Sequence, residues 1–96
     1  MAVVMTTQIP GATTEMYDSI NREMGVEDDP PQGLIAHYAA HTGDAMLIFD
    51  VWESKEDYDR FEQDKLMPAV QKLGVGPPPE GGPQPTFAEL HNEIRR

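Results

Sequence analysis

Four strand-like and two helix-like segments, in the order β-α-β-β-α-β, predict an α+β fold. The expected architecture is ferredoxin-like: a four-stranded antiparallel sheet, strand order 4-1-3-2, with two helices on one face. A second observation concerns the other face. Residues 45–54, AMLIFDVWES, alternate as a strand does, yet both faces are apolar. Ala45, Leu47, Phe49 and Val51 make one face; Met46, Ile48 and Trp52 flank Asp50 on the other. A small antiparallel sheet normally turns one polar face to water. The helices can cover one side, and no residues remain for the second. A second copy packed sheet against sheet is the economical cover, so the sequence predicts a homodimeric α/β barrel. Length agrees: 96 residues suit a single domain, 1–96, whose small core gains from a partner.

Each element has a local reason. AVVMTTQIPG is β-rich and ends at Pro10-Gly11, giving a first strand over 2–9. Thr13 or Thr14 caps a helix whose apolar stripe is Met16, Ile20 and Met24, with Tyr17 beside it and Gly25 as its C-terminal stop. EDDPPQG is a loop, LIAHYAAH the second strand, and TGDA a tight turn into the third. Ser54 and Asp57 have the spacing of a capping box and start the second helix, whose inward stripe is Tyr58, Phe61, Leu66, Val70 and Leu73. Pro68 should kink that helix or open a new one, because it removes a donor and clashes with the preceding turn. The segment 75–85 is a Pro/Gly-rich loop, and TFAELHNEI forms strand four. The acid-rich run 50–64 reads as a solvated helix face with a Glu56–Arg60 pair.

Register places one polar pair. If Gly43-Asp44 is a two-residue hairpin turn, Thr42 pairs with Ala45, and His41–Met46, Ala39–Ile48, His37–Asp50 and Ile35–Trp52 share one side of the sheet. Ala40–Leu47, Tyr38–Phe49 and Ala36–Val51 share the other. Opposed side chains lie about 4.5–5.5 Å apart at Cβ, close enough for His37 to bond Asp50. A buried carboxylate needs such a partner, and the pairing fixes the histidine tautomer as a general base requires. The two residues either form a ligand-facing dyad or simply satisfy each other within the sheet.

Composition excludes several classes. A formal charge of −10, with 17 acids against 7 bases, leaves no basic patch for nucleic acid. Zero cysteines remove disulfides and thiolate chemistry. No apolar run approaches the ~20 residues that span a bilayer, and no basic segment precedes AVVM, so a soluble, cytoplasmic protein is expected. His37 and His41 lie about 13 Å apart along one strand, too far to share an ion, so no metal site is expected.

The segment DVWESKEDYDRF, running on to LMPAV, resembles the junction of strand three and helix two in antibiotic biosynthesis monooxygenase-like proteins. GLIAHY and ELHN are similar to strands two and four of an actinobacterial branch of that family. The resemblance implies the dimeric α/β-barrel fold, and either cofactor-free oxidation of aromatic polyketides or haem degradation. Haem-degrading members carry a Trp and a His where this chain has Phe61 and Gln71, and strand one here has no Asn, so the haem-degrading branch is disfavoured. Many monooxygenase-like members carry a His at the Phe61 place, another departure.

The expected function is therefore a homodimeric, cofactor-independent, monooxygenase-like enzyme acting on a hydrophobic or aromatic small molecule. His37 would be the base and Asp50 its orienter; Tyr38, Trp52, Phe61 and His91 are the candidate substrate-binding residues. The same aromatic residues also suit a plain core. The alternative is a non-catalytic dimer that binds a small molecule or a partner.

Overall fold

The computed structural model of the chain describes residues 2–74 and 85–96. The Pro/Gly-rich loop expected at 75–85 lies, but for Pro85, outside the described residues. Strands β1 (Val3–Pro10), β2 (Leu34–His41), β3 (Ala45–Trp52) and β4 (Thr86–Glu89) form one sheet in the order β2-β3-β1-β4, with every neighbour antiparallel. β1 and β2 therefore run parallel with β3 between them, the split βαβ unit. Helix α1 (Thr14–Met24) supplies the first crossover. The second runs through α2 (Lys55–Phe61), a π-helical turn (Glu62–Leu66) and α3 (Met67–Lys72).

The helix ends follow the sequence signals. Thr13 Oγ1 accepts from the Met16 amide at 3.1 Å, and Gly25 closes α1 at φ 68°, donating to the Asn21 carbonyl at 2.9 Å. Ser54 Oγ accepts from the Asp57 amide at 3.2 Å and donates to the Asp57 carboxylate at 2.9 Å. That second bond departs from an ordinary capping box, in which the acid reaches back to the cap's own amide. Pro68 stands in the first turn of α3, so of the two expected outcomes it is the opening of a new helical segment that occurs. The wider π turn just before it moves the hydrogen-bond ladder by one residue, where an α-helical ladder would have asked Pro68 for an amide it lacks. Arg60 pairs with Asp57 at 3.0 Å, not with Glu56 as i,i+4 spacing suggested.

The β2–β3 register is the one the hairpin turn dictates from His41↔Met46 to Ala36↔Val51, with His37 opposite Asp50. Gly43, at φ 102°, supplies the first turn position, which needs positive φ. Trp52 corrects the expectation at the far end. It pairs with Leu34, because Ile35 is an extra residue in a β-bulge and is left 46% exposed. Strand β4 is also shorter than expected. Its pairing stops at Glu89, Leu90 donates to the Ala2 carbonyl at 2.9 Å, and residues 91–96 run on exposed and outside the sheet.

The helix-facing side of the sheet carries the core. Met5, Ile48, Trp52 and Tyr58 are buried together, with Val3, Tyr17, Leu34, Phe61 and Phe87 packed against them. Trp52 meets Tyr58 edge-on at 5.7 Å and Phe61 at 5.4 Å, and Tyr58 meets Phe87 at 5.2 Å. Full burial of one such ring contributes about 2–3 kcal/mol, so this cluster dominates the stability of a small domain. Helix α1 is phased differently from the expected stripe: Tyr17, Ile20 and Met24 are half-buried, while Met16 is exposed. The opposite sheet face stays open in one chain, with Tyr38, Leu47 and Phe49 exposed by 60%, 44% and 40%.

Candidate functional site

Asp50 is the one buried charged residue of the described chain, 3% exposed on the central strand β3. An ionised carboxylate at that depth is costly unless each oxygen is bonded. Both are. Oδ1 meets His37 Nδ1 at 2.5 Å, and Oδ2 accepts from Trp52 Nε1 at 3.1 Å. The alternation of a strand makes the second contact possible: Asp50 and Trp52 are two residues apart and share a face. The first follows from cross-strand pairing of His37 with Asp50.

A fourth residue completes the chain of bonds. The Tyr17 hydroxyl, from α1, lies 2.5 Å from His37 Nε2, with the two rings parallel to within 2°. The carboxylate can only accept, so Nδ1 carries the proton and donates to Asp50. Nε2 of the neutral ring then has a free lone pair, and the Tyr17 hydroxyl donates to it. Burial pushes the Tyr17 phenol above its ordinary value, and the Asp50 charge adds to this against the lowering effect of Asn21. Tyr17 is therefore a proton-holding donor at neutral pH. The order Tyr17–His37–Asp50, with Trp52 anchoring the acid, holds an imidazole in the tautomer of a general base.

The other candidate residues are dispersed. Trp52 is 1% exposed and belongs to the core, so it touches the site through its indole N–H alone. Phe61 packs on Trp52 and lines a small cavity of about 160 Å³ with Pro31, Gln32, Asp57 and Arg60. Tyr38 and Phe49 pair at 6.3 Å on the open face, on the far side of the sheet from His37 as the register predicts, so the candidate Tyr38 shares no pocket with Trp52 and Phe61. His91 lies in the exposed segment beyond β4, not in a strand. A cavity of about 180 Å³ between α1 and α3 likewise does not reach His37. Among the described residues no cluster of three His, Asp or Glu side chains is arranged to hold a metal ion. No described helix is long and apolar enough to cross a membrane.

Sequence reasoning missed Tyr17. Its signal was available in the i, i+3, i+7 spacing of Tyr17, Ile20 and Met24, which competes with the stripe drawn through Met16.

No family model and no curated protein matches the sequence. Solved structures do. Rv0793 from Mycobacterium tuberculosis superposes with a TM-score of 0.70 at 10% identity, covering 99% of this chain and 100% of that one. SnoaB, a cofactor-independent oxygenase from Streptomyces nogalater, matches at 0.63 and 9% identity, over 99% and 97% of the two chains. The ActVA-Orf6 monooxygenase of Streptomyces coelicolor, solved with the ligand nanaomycin D, matches at 0.63 and 17%, over 99% and 92%. The chain has the antibiotic biosynthesis monooxygenase fold. At these identities the likeness speaks to architecture, and the chemistry rests on the side chains. Within that fold, His37 lies on the edge strand β2 and its bonded partner Asp50 on the adjacent strand β3.

Proposed function

We propose that the protein is a homodimeric, cofactor-independent, monooxygenase-like enzyme acting on a hydrophobic aromatic small molecule, with His37 as general base and Asp50 orienting it. The observation that carries the reading is the bonded order Tyr17–His37–Asp50, which leaves an acceptor nitrogen aimed at a hydroxyl donor. In the reaction, His37 Nε2 takes a proton from the substrate while Nδ1–H stays bonded to Asp50, whose charge steadies the imidazolium. For a phenol, a ring carbon of the resulting anion bonds dioxygen, the peroxide takes back the imidazolium proton, and loss of water leaves a quinone carbonyl, so one oxygen atom stays on the product and the other leaves as water. The descriptions of SnoaB as a cofactor-independent oxygenase and of ActVA-Orf6 as a monooxygenase support this class. The homodimer is supported by the exposed Tyr38, Leu47 and Phe49 on the uncovered sheet face.

A specific observation favours the second reading, a non-catalytic binding dimer. Trp52, Tyr58 and Phe61 fill the space under the helices, and neither cavity opens on His37. Oxygen uptake with a panel of polycyclic phenols separates the two. Turnover that disappears in His37→Ala, with the melting transition retained, supports the enzyme. No uptake by the wild-type protein, with binding intact, supports the binder.

A further inference from the structure

From the Tyr17–His37 contact we infer that Tyr17 gates the base: a phenolic ligand reaches His37 by displacing the hydroxyl and ring of Tyr17 and taking their place. The inference rests on the proposed role of His37 and adds what controls access to it. Nε2 is the open position of the base, and in the free protein a phenol from the chain itself occupies it at 2.5 Å. Anything that uses the base must displace that hydroxyl and present a donor of the same kind. A phenol does so group for group. Its O–H replaces the Tyr17 O–H on Nε2, and its ring enters the space that the Tyr17 ring vacates beside Trp52, Tyr58 and their neighbours.

Three features make Tyr17 suitable as a gate. It lies on α1, a helix with no fully buried residue, so its side chain can swing without opening the centre of the core. The His37 side chain is 34% exposed, which gives a ligand an approach from the β2 edge. The small cavities elsewhere do not reach His37, so a vacated Tyr17 slot is the aromatic-sized space next to the base. The raised pKa of Tyr17 also makes it a poor proton source, so an ordinary phenol delivers its proton to His37 more readily than the gate does. The proton passes from the phenol oxygen to Nε2, giving a phenolate beside an imidazolium that remains bonded to Asp50.

Calorimetric titration of the full chain with 2-naphthol and with 2-methoxynaphthalene tests this. In Tyr17→Phe the ring remains but no longer competes for Nε2, so 2-naphthol should bind about 2- to 10-fold more tightly, the equivalent of one neutral hydrogen bond. The methoxy compound should show no gain, and adding His37→Ala should erase the gain for naphthol. If Tyr17→Phe binds naphthol no better than wild type while His37→Ala still weakens binding, the gate is wrong and the base reading stands. If naphthol fails to bind Tyr17→Phe, the phenol assignment is wrong. If His37→Ala changes neither binding nor oxygen uptake, the base reading fails and the gate with it. Thermal melts of each variant confirm that the fold is kept.

Discussion

Replacing Asp50 by Asn exchanges one carboxylate oxygen for an amide nitrogen and leaves the volume of the side chain nearly intact. The carboxylate now accepts a ring N–H from His37 and an indole N–H from Trp52. An amide has one oxygen to accept with and a nitrogen that only donates. Trp52 is 1% exposed and among the described residues its indole N–H bonds Asp50 alone, so the amide oxygen goes to Nε1–H. The amide nitrogen then faces His37 Nδ1, which must become an acceptor, and the ring proton moves to Nε2. Two charge-assisted bonds become neutral ones of about half the strength, offset in part because a buried charge is gone. The net destabilisation is about 1–2 kcal/mol, or a fall of roughly 4–16 °C in melting temperature for a domain of this size. Asp50→Ala should cost about 1–3 kcal/mol more, because it strands the buried indole N–H. Urea unfolding followed by the emission of Trp52, the sole tryptophan, gives the stabilities, and nitrogen NMR of the imidazole gives the tautomer. An Asp50→Asn variant as stable as wild type, with the proton still on Nδ1, refutes the assigned bonding.

Four other outcomes are expected. Gly33 adopts φ +88°, and a Cβ there overlaps the Asp57 carboxylate that completes the cap of α2, so Gly33→Ala should cost about 2–3 kcal/mol in urea unfolding. Gly25→Ala, with open space around it, should lose only the backbone part of that cost. Phe49→Lys on the open sheet face should convert the proposed homodimer to single chains in sedimentation equilibrium, with little change in the unfolding of each chain. Alkaline pH should unfold the protein cooperatively. Burial, then the Glu62 charge, raises the Tyr58 phenol far above its ordinary value of 10.0, and Tyr17 is raised too. The unfolded chain therefore releases these protons first. Stability is complete below about pH 10 and falls by up to about 1.4 kcal/mol per pH unit per tyrosine above it, until the folded groups titrate. Denaturant midpoints measured across that range check the slope, and a flat profile contradicts it.

The His37–Asp50 pair was legible because its position depends on short-range rules alone. A glycine at the first turn position fixes the hairpin, and the period of two then carries the register six residues outward to His37. The same rule failed one pair later, at Ile35, because a bulge is a response to packing. Leu34 is needed inside against Trp52, and the extra residue is left outside. The π turn before Pro68 belongs to the same class. The sequence shows that an α-helical ladder is short of a donor there, while the packing of α3 decides how the chain absorbs it.

From the sequence came the order of the elements, the helix caps at Thr13 and Ser54, and the hairpin that sets a histidine across from an acid. These features arise between residues close along the chain or paired through one tight turn. Tertiary structure alone decided that Tyr17 reaches His37, that Trp52 is an anchor buried in the core, and that the helices cover the face of His37 and Asp50 and leave that of Tyr38 and Phe49 open. Each of those depends on the rotation of a helix about its axis or on which sheet face the helices choose. Such choices are made by the whole core at once, through contacts between residues far apart in the chain.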